Sequence, residues 1–260
     1  MWKVQSIKVS HNLKSMQINM NIIKPIAAAA AAAALLTACD CKEQPAGRWS
    51  EEKANEWYAQ RDWPVGCDYV PAYAGNQIQM WQSSTWDPAE IDKELGWAEE
   101  LGFNSVRIFL HDKVWSADRD AFFAHIEEFL KIADSHGISS LVTLFTNGGS
   151  RDRCVDEDIA PIPGIHNSIW AQTPGIETVN DPSQWDWVKE YEQDVLRHFK
   201  DDSRIIAWCL YNEPENVPAC HTYPLLKKVF EWAREINPSQ PLTAPIYTRP
   251  LSGSGNLTTR

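Results

Sequence analysis

From Trp49 onward the apolar positions alternate between two kinds of spacing. Short continuous apolar runs read as strands buried on both faces, and i, i+3/i+4, i+7 stripes read as helices with one buried face. Gly66–Val70 is the first strand. Asp87-Pro88-Ala89-Glu90 opens a helix: Asp87 accepts from free N–H groups, Pro88 fits the first turn and Glu90 closes a capping box. Ile91, Leu95, Ala98 and Leu101 form its stripe and Gly102 stops it. Asn104–Leu110 is a second strand. Phe122, Ile126, Phe129 and Ala133 mark a second helix ending at Gly137, and Ser139–Phe145 is a third strand. An irregular stretch runs from Thr146 to Asn180 with Pro161, Pro163 and Pro174, and a connection of that length is usually functional. Asp181-Pro182 starts a third helix along Val188, Tyr191, Val195 and Phe199. Ile205–Tyr211 is the fourth strand, Leu226, Val229, Ala233 and Ile236 line the fourth helix, and Leu242–Ile246 is the fifth strand.

Buried strands alternating with amphipathic helices predict an α/β fold, a parallel sheet covered by helices. Two layouts fit, an open doubly wound sheet and a (β/α)8 TIM barrel. No GxGxxG follows the first strand, so a dinucleotide site is unsupported. In both layouts the chemistry sits at the C-terminal ends of the strands.

The composition narrows the function. Among 260 residues, 24 Lys and Arg face 35 Asp and Glu, a formal charge of -11. That excludes the basic footprint of a nucleic-acid binder. An apolar share of 43% and 13 Trp exclude a disordered chain. Residues 1–38 carry four Lys and no acid. They include the unbroken run Ala27–Ala34 and finish on Leu36-Thr37-Ala38-Cys39. A basic start with a short apolar run reads as a secretory signal, too short for a membrane span. The last four residues resemble the bacterial lipobox. That resemblance implies an exported lipoprotein acylated at Cys39, held to a membrane of the cell envelope by its lipid, with residues 39–48 as a tether. The alternative is an ordinary signal peptide with an incidental Cys. Of the other cysteines, Cys41 lies in the tether and Cys67 and Cys209 read as buried strand thiols. Cys154 and Cys220 fall in loops where export permits a disulfide. No CxxC or HExxH occurs, and no metal or other cofactor is expected.

The polar residues at the strand ends are the candidate site. Strand four runs into Asn212-Glu213-Pro214-Glu215-Asn216, and Pro214, lacking an N–H, ends the ladder. Strand two carries Arg107 between Val106 and Ile108, with His111 beyond. A guanidinium in an apolar strand needs a partner, and a carboxylate inside a barrel would supply one. Asn147 follows strand three, and His166 and Trp170 lie in the long loop above the catalytic face. Trp81, Trp86, Trp115 and Trp170 read as loop residues whose rings could stack on the C–H face of a sugar. Trp97, Trp187, Trp208 and Trp232 read as packing.

Gly102–Ile108 and Trp208–Pro214 resemble the second- and fourth-strand signatures of glycoside hydrolase clan A, nearest the cellulase-like members of family 5. The resemblance runs from about Trp63 to Ile246. It implies a (β/α)8 barrel that hydrolyses β-linked polysaccharide or oligosaccharide with retention. Glu213 would be the acid/base, Asn212 would hold the sugar 2-hydroxyl and Arg107 would orient the nucleophile. The substrate-binding candidates are then His111, Asn147, His166, Trp170 and Trp81, with a monomer as the expected state.

One departure qualifies this. The family's nucleophile is a Glu ending strand seven. Here a polar tail, Tyr247–Arg260, holds no acid and shows no strand or helix period. The expectation is a partial barrel over 49–247, about five βα units against a full barrel of ~250 residues, with 248–260 irregular. Such a piece keeps the acid/base half of a site. A truncated, catalytically inactive glycan-binding lipoprotein is therefore the alternative function, and a purely structural lipoprotein a third.

Overall fold

The computed structural model describes residues 47–150 and 152–247. The signal, Cys39, Cys41, most of the tether and the 248–260 tail lie outside them. Five strands, β1 (Gly66–Asp68), β2 (Ser105–Phe109), β3 (Ser139–Thr146), β4 (Ile205–Asn212) and β5 (Leu242–Thr243), form one sheet in the order β1-β2-β3-β4-β5. Every neighbouring pair is parallel. An order that never reverses has no topological switch point, which removes the doubly wound alternative.

Each crossover carries a helix that the apolar stripe foretells: α3 (Pro88–Glu100), α5 (Arg119–Ser135), α7 (Trp185–Phe199) and α8 (Tyr223–Ile236). Asp87 Oδ1 accepts from the N–H groups of Ala89 and Glu90, and Asp118 caps α5 through Ala121 N. The Glu90 carboxylate holds Lys93 Nζ. Four further helices are α1 (Glu51–Ala59), α2 (Gln77–Trp81), α4 (Asp112–Ala117) and α6 (Ile176–Asn180). Val106, Ile108, Val142, Leu144, Trp208 and Leu210 are buried in a core shared with Ile91, Leu95, Phe122, Ile126, Phe129, Val188, Val195 and Val229. Among the described residues no helix is long and apolar enough to cross a membrane.

Several expectations are corrected. Leu101 is 74% exposed, because it caps α3 beyond the last packed turn, where the stripe has rotated off the core. Trp97 is also exposed, its ring covered by the Lys93 ammonium. Cys67 is exposed because β1 is a short strand that, among the described residues, is paired on one side only. Cys154 and Cys220 are both free, one exposed and the other buried, so they form no disulfide.

The long connection after β3 is ordered by the sheet and by α2. Thr146 bridges Thr173, and Ser150 bridges Ala171. The Gln77 side chain donates to Ala171 O at 3.0 Å and accepts from Ala171 N at 3.1 Å, while Asn76 Nδ2 donates to Ile169 O. At Gly149, with φ +82°, a Cβ would lie 2.2 Å from Trp170 O. Only glycine lets the two arms of this loop approach so closely. The loop is thereby folded back over the C-terminal ends of the strands, with Trp170 at its inner side.

Candidate active site

Side chains alternate across a strand, so Arg107 and Phe109 leave β2 on the face opposite Val106 and Ile108. Parallel pairing sets Arg107 level with Asp68 on β1, and Thr146 level with Asn212 on β4. The sheet therefore brings three strand ends to one hollow. It is a cavity of about 660 Å³ lined by Asp68, Arg107, Phe109, Asn147, Gly148, Gly149, His166, Trp170, Asn212, Glu213 and Asn216.

Arg107 is the centre of this array. Its Nε donates to Thr143 Oγ1 at 3.1 Å. Its Nη2 donates to Asn212 Oδ1 at 2.8 Å and to Cys209 Sγ at 3.2 Å. Its Nη1 lies 3.7 Å from Asp68 Oδ1, and the guanidinium stands over the Phe109 ring at 4.7 Å. Burial pushes the Cys209 thiol above its ordinary range, with the nearby guanidinium pulling the other way. A neutral sulfur accepts from Nη2 without competing for the positive charge. Among the described residues, the carboxylate paired with this guanidinium is Asp68.

Asn212 is held at both ends of its amide: Oδ1 takes Arg107, and Nδ2 donates to Thr146 Oγ1 at 3.1 Å. Glu213 follows with φ +51°, in the left-handed region that side chains rarely adopt. Backbone bonds on each side over-determine it. Glu213 N–H donates to Pro245 O at 3.1 Å, and Glu213 O accepts from Asn147 Nδ2 and from Asn216 N, both at 3.1 Å. Such local strain costs about 1–3 kcal/mol and concentrates at functional positions. Glu213 Oε2 takes a bond from Asn216 Nδ2 at 2.8 Å. Glu215, also at positive φ, accepts from Tyr223 N and Thr222 Oγ1, so the second acid of the motif caps α8.

Asn147 is buried and ties these parts together. Its Oδ1 accepts from Tyr211 Oη at 3.0 Å and from Cys220 Sγ at 3.4 Å, while its Nδ2 supports Glu213. Burial raises the Tyr211 hydroxyl well above its usual range and pushes the Cys220 thiol up to about 11, so both act as neutral donors. Trp170 meets Phe109 edge-on at 5.2 Å and forms one wall. His166 is an exposed lining residue.

Arg107, Asn147, His166, Trp170, Asn212 and Glu213 are therefore brought together, and His111 and Trp81 are not. His111 is 1% exposed, and its Nδ1 accepts from Lys113 N to cap α4. Trp81 is fully buried in α2, donates to Phe109 O and stacks on Trp86. It can offer no face to a ligand. Trp86 stacks on His125 and donates to Glu128, and Trp115 donates to Asp194, so neither belongs to the cavity. From the sequence, Asp68 near the first strand is a possible site residue with nothing to support it, and Phe109 carries no role. A signal for Asp68 existed in its position at the end of the strand preceding the one that carries Arg107.

No family model and no curated protein matches this chain. Solved structures do. An exo-β-1,4-mannosidase from Opitutaceae bacterium strain TAV5 is similar at 21% identity and a TM-score of 0.52, over 69% of this chain and 31% of that one. A GH5_18 variant from Streptomyces cattleya in complex with Manβ1-4GlcNAc is similar at 16% identity and a TM-score of 0.50, over 70% of this chain and 44% of that one. The chain thus spans less than half the length of either. At these identities the likeness bears on architecture: the chain has the fold of a five-stranded portion of a (β/α)8 barrel of the kind seen in these glycoside hydrolases.

Proposed function

We propose that the cavity is the glycan site of a β-glycoside hydrolase, with Glu213 as acid/base, Asn212 as the ligand of a sugar hydroxyl and Trp170 as a stacking wall. The observation that carries this is the convergence of Arg107, Asn212 and Glu213 on one cavity large enough for a sugar ring. The structural neighbours, whose names concern β-linked mannosides, make a β-1,4-mannan fragment the first substrate class to test.

Retention needs two carboxyl groups about 5–5.5 Å apart, one to protonate the leaving oxygen and one to attack the anomeric carbon. Among the described residues, the carboxylates that line the cavity are Glu213 and Asp68, and Asp68 is paired with Arg107. That favours a second reading, a glycan-binding chain with little turnover. Assayed alone, the 260-residue chain is expected to bind β-1,4-mannotetraose more readily than it cleaves it.

Calorimetric titration with β-1,4-mannotetraose tests the site itself. Trp170→Ala is expected to weaken binding about tenfold, because it removes the ring face along one wall. Trp170→Phe should recover part of the loss. Equal affinity in all three proteins, each with an unchanged circular dichroism spectrum, would remove the glycan site from this cavity.

Export with lipid attachment at Cys39 is proposed on the Leu36-Thr37-Ala38-Cys39 motif alone. In a bacterial host, Cys39→Ser is expected to move the protein from the detergent phase to the aqueous phase on Triton X-114 partition. An unchanged partition would contradict acylation.

A further inference from the structure

We propose that Asp68 is a specificity-determining residue of the cavity, a carboxylate that accepts from the hydroxyls of a neutral sugar and turns away acidic ones; the inference rests on the glycan-site reading above. Asp68 ends β1, level with Arg107, and faces the same cavity as Asn212 and Glu213. Its side chain is 65% exposed, and among the described residues its one charged partner is Arg107 at 3.7 Å. That separation is too long for a hydrogen bond. Electrostatic attraction holds the carboxylate toward the cavity wall while both oxygens keep their acceptor capacity. An ionised carboxylate accepts at two oxygens, a pattern that matches two neighbouring hydroxyls of a pyranose.

The same geometry sets the charge preference. A lone guanidinium in a sugar site would invite a uronate through its planar fork. Here Nε and Nη2 are engaged by Thr143, Asn212 and Cys209, and Nη1 faces Asp68. A ligand carboxylate entering the cavity finds this guanidinium already countered by the Asp68 carboxylate. Asp68 is not assigned a bond-making role. It would select and hold the sugar while the chemistry lies with Glu213.

The test uses a matched pair of ligands, β-1,4-mannotetraose and β-1,4-tetramannuronate, which differ in the oxidation state of C6. Both are titrated by calorimetry into the full chain and into Asp68→Asn and Asp68→Glu. The wild type is expected to bind the neutral tetrasaccharide and to discriminate against the acidic one, with discrimination weakening as salt rises. Asp68→Asn should bind mannotetraose about tenfold more weakly, since hydrogen bonds to a charged acceptor are lost, and should bind tetramannuronate more tightly than the wild type does. Asp68→Glu should keep the discrimination and lose part of the affinity. If the wild type binds mannotetraose and Asp68→Asn shows the same affinity and the same neutral-to-acidic ratio, this inference is overturned and the glycan site stands. If the wild type binds neither ligand, the glycan-site reading falls and takes this inference with it.

Discussion

Whatever residual hydrolysis of an alkyl β-mannoside this chain shows, Glu213→Gln is expected to lower it by about 10²–10⁴-fold, the usual contribution of a positioned general acid. The substitution keeps shape and keeps the acceptor that Asn216 Nδ2 engages, so the loss isolates the proton. The leaving group makes the effect specific. A dinitrophenolate departs without protonation, so the penalty on its first step should nearly vanish, whereas an alkoxide cannot leave without the acid. A comparable penalty on both substrates would assign Glu213 a binding or structural role. No penalty on either would remove it from the chemistry. Its backbone supports that use of the position. With φ at +51° and its peptide groups bonded to Pro245, Asn147 and Asn216, the residue cannot relax away from the cavity without breaking bonds to the segments just past β3 and β5.

The sequence was informative where a pattern is local and long. α3, α5, α7 and α8 each run 13 residues or more, enough turns for an apolar stripe to repeat. α2, α4 and α6 have 5 or 6 residues, too few for a period to declare itself. That is why Trp81 reads as a loop residue when it is in fact a buried helical one. α1 escaped for the opposite reason: it buries no residue, so it carries no stripe. Arg107, Asn212 and Glu213 were legible because a charge inside an apolar strand and an acid at a strand end are visible in one dimension. Asp68 was legible only as an acid at a strand end. Its meaning comes from being level with Arg107 across two strands separated by α2 and α3, and pairing register is a property of the folded sheet. The failure at His111 has the same origin. A histidine just past a strand end satisfies the pattern of a site residue, but only the turn into α4 decides that its ring caps a helix.

Stability should carry a signature far from the cavity. Glu192 is fully buried on α7, and neither carboxylate oxygen has a hydrogen-bond partner among the described residues. Desolvation raises its pKa well above the ordinary carboxylate range. Glu235 on α8 adds to that, and Lys189 one turn earlier on α7 opposes it. Lys189 is itself paired with Glu235 at 2.8 Å, so its charge is already shared. The sign follows from linkage. Below the unfolded-state value of about 4.3, both states hold the proton and Glu192 imposes no ionisation penalty. As pH rises, the unfolded chain releases the proton while the folded chain retains it, and stability falls until the folded group also ionises. Glu192→Gln mimics the protonated side chain. It is expected to match the wild type near pH 4 and to be more stable at pH 7.5 by about 1–4 kcal/mol, at about 1.4 kcal/mol for each pH unit over which the unfolded carboxyl has ionised and the folded one has not. Each kcal/mol is worth roughly 2–4 °C in a chain of this size. Glu192→Met removes the polar atoms as well and should gain at both pH values. Thermal melts of the three proteins at pH 4 and pH 7.5 decide the matter. A gap between wild type and Glu192→Gln that does not widen with pH would mean that the carboxyl is solvated or partnered in solution and that the α7 surface is looser there than it stands in this fold.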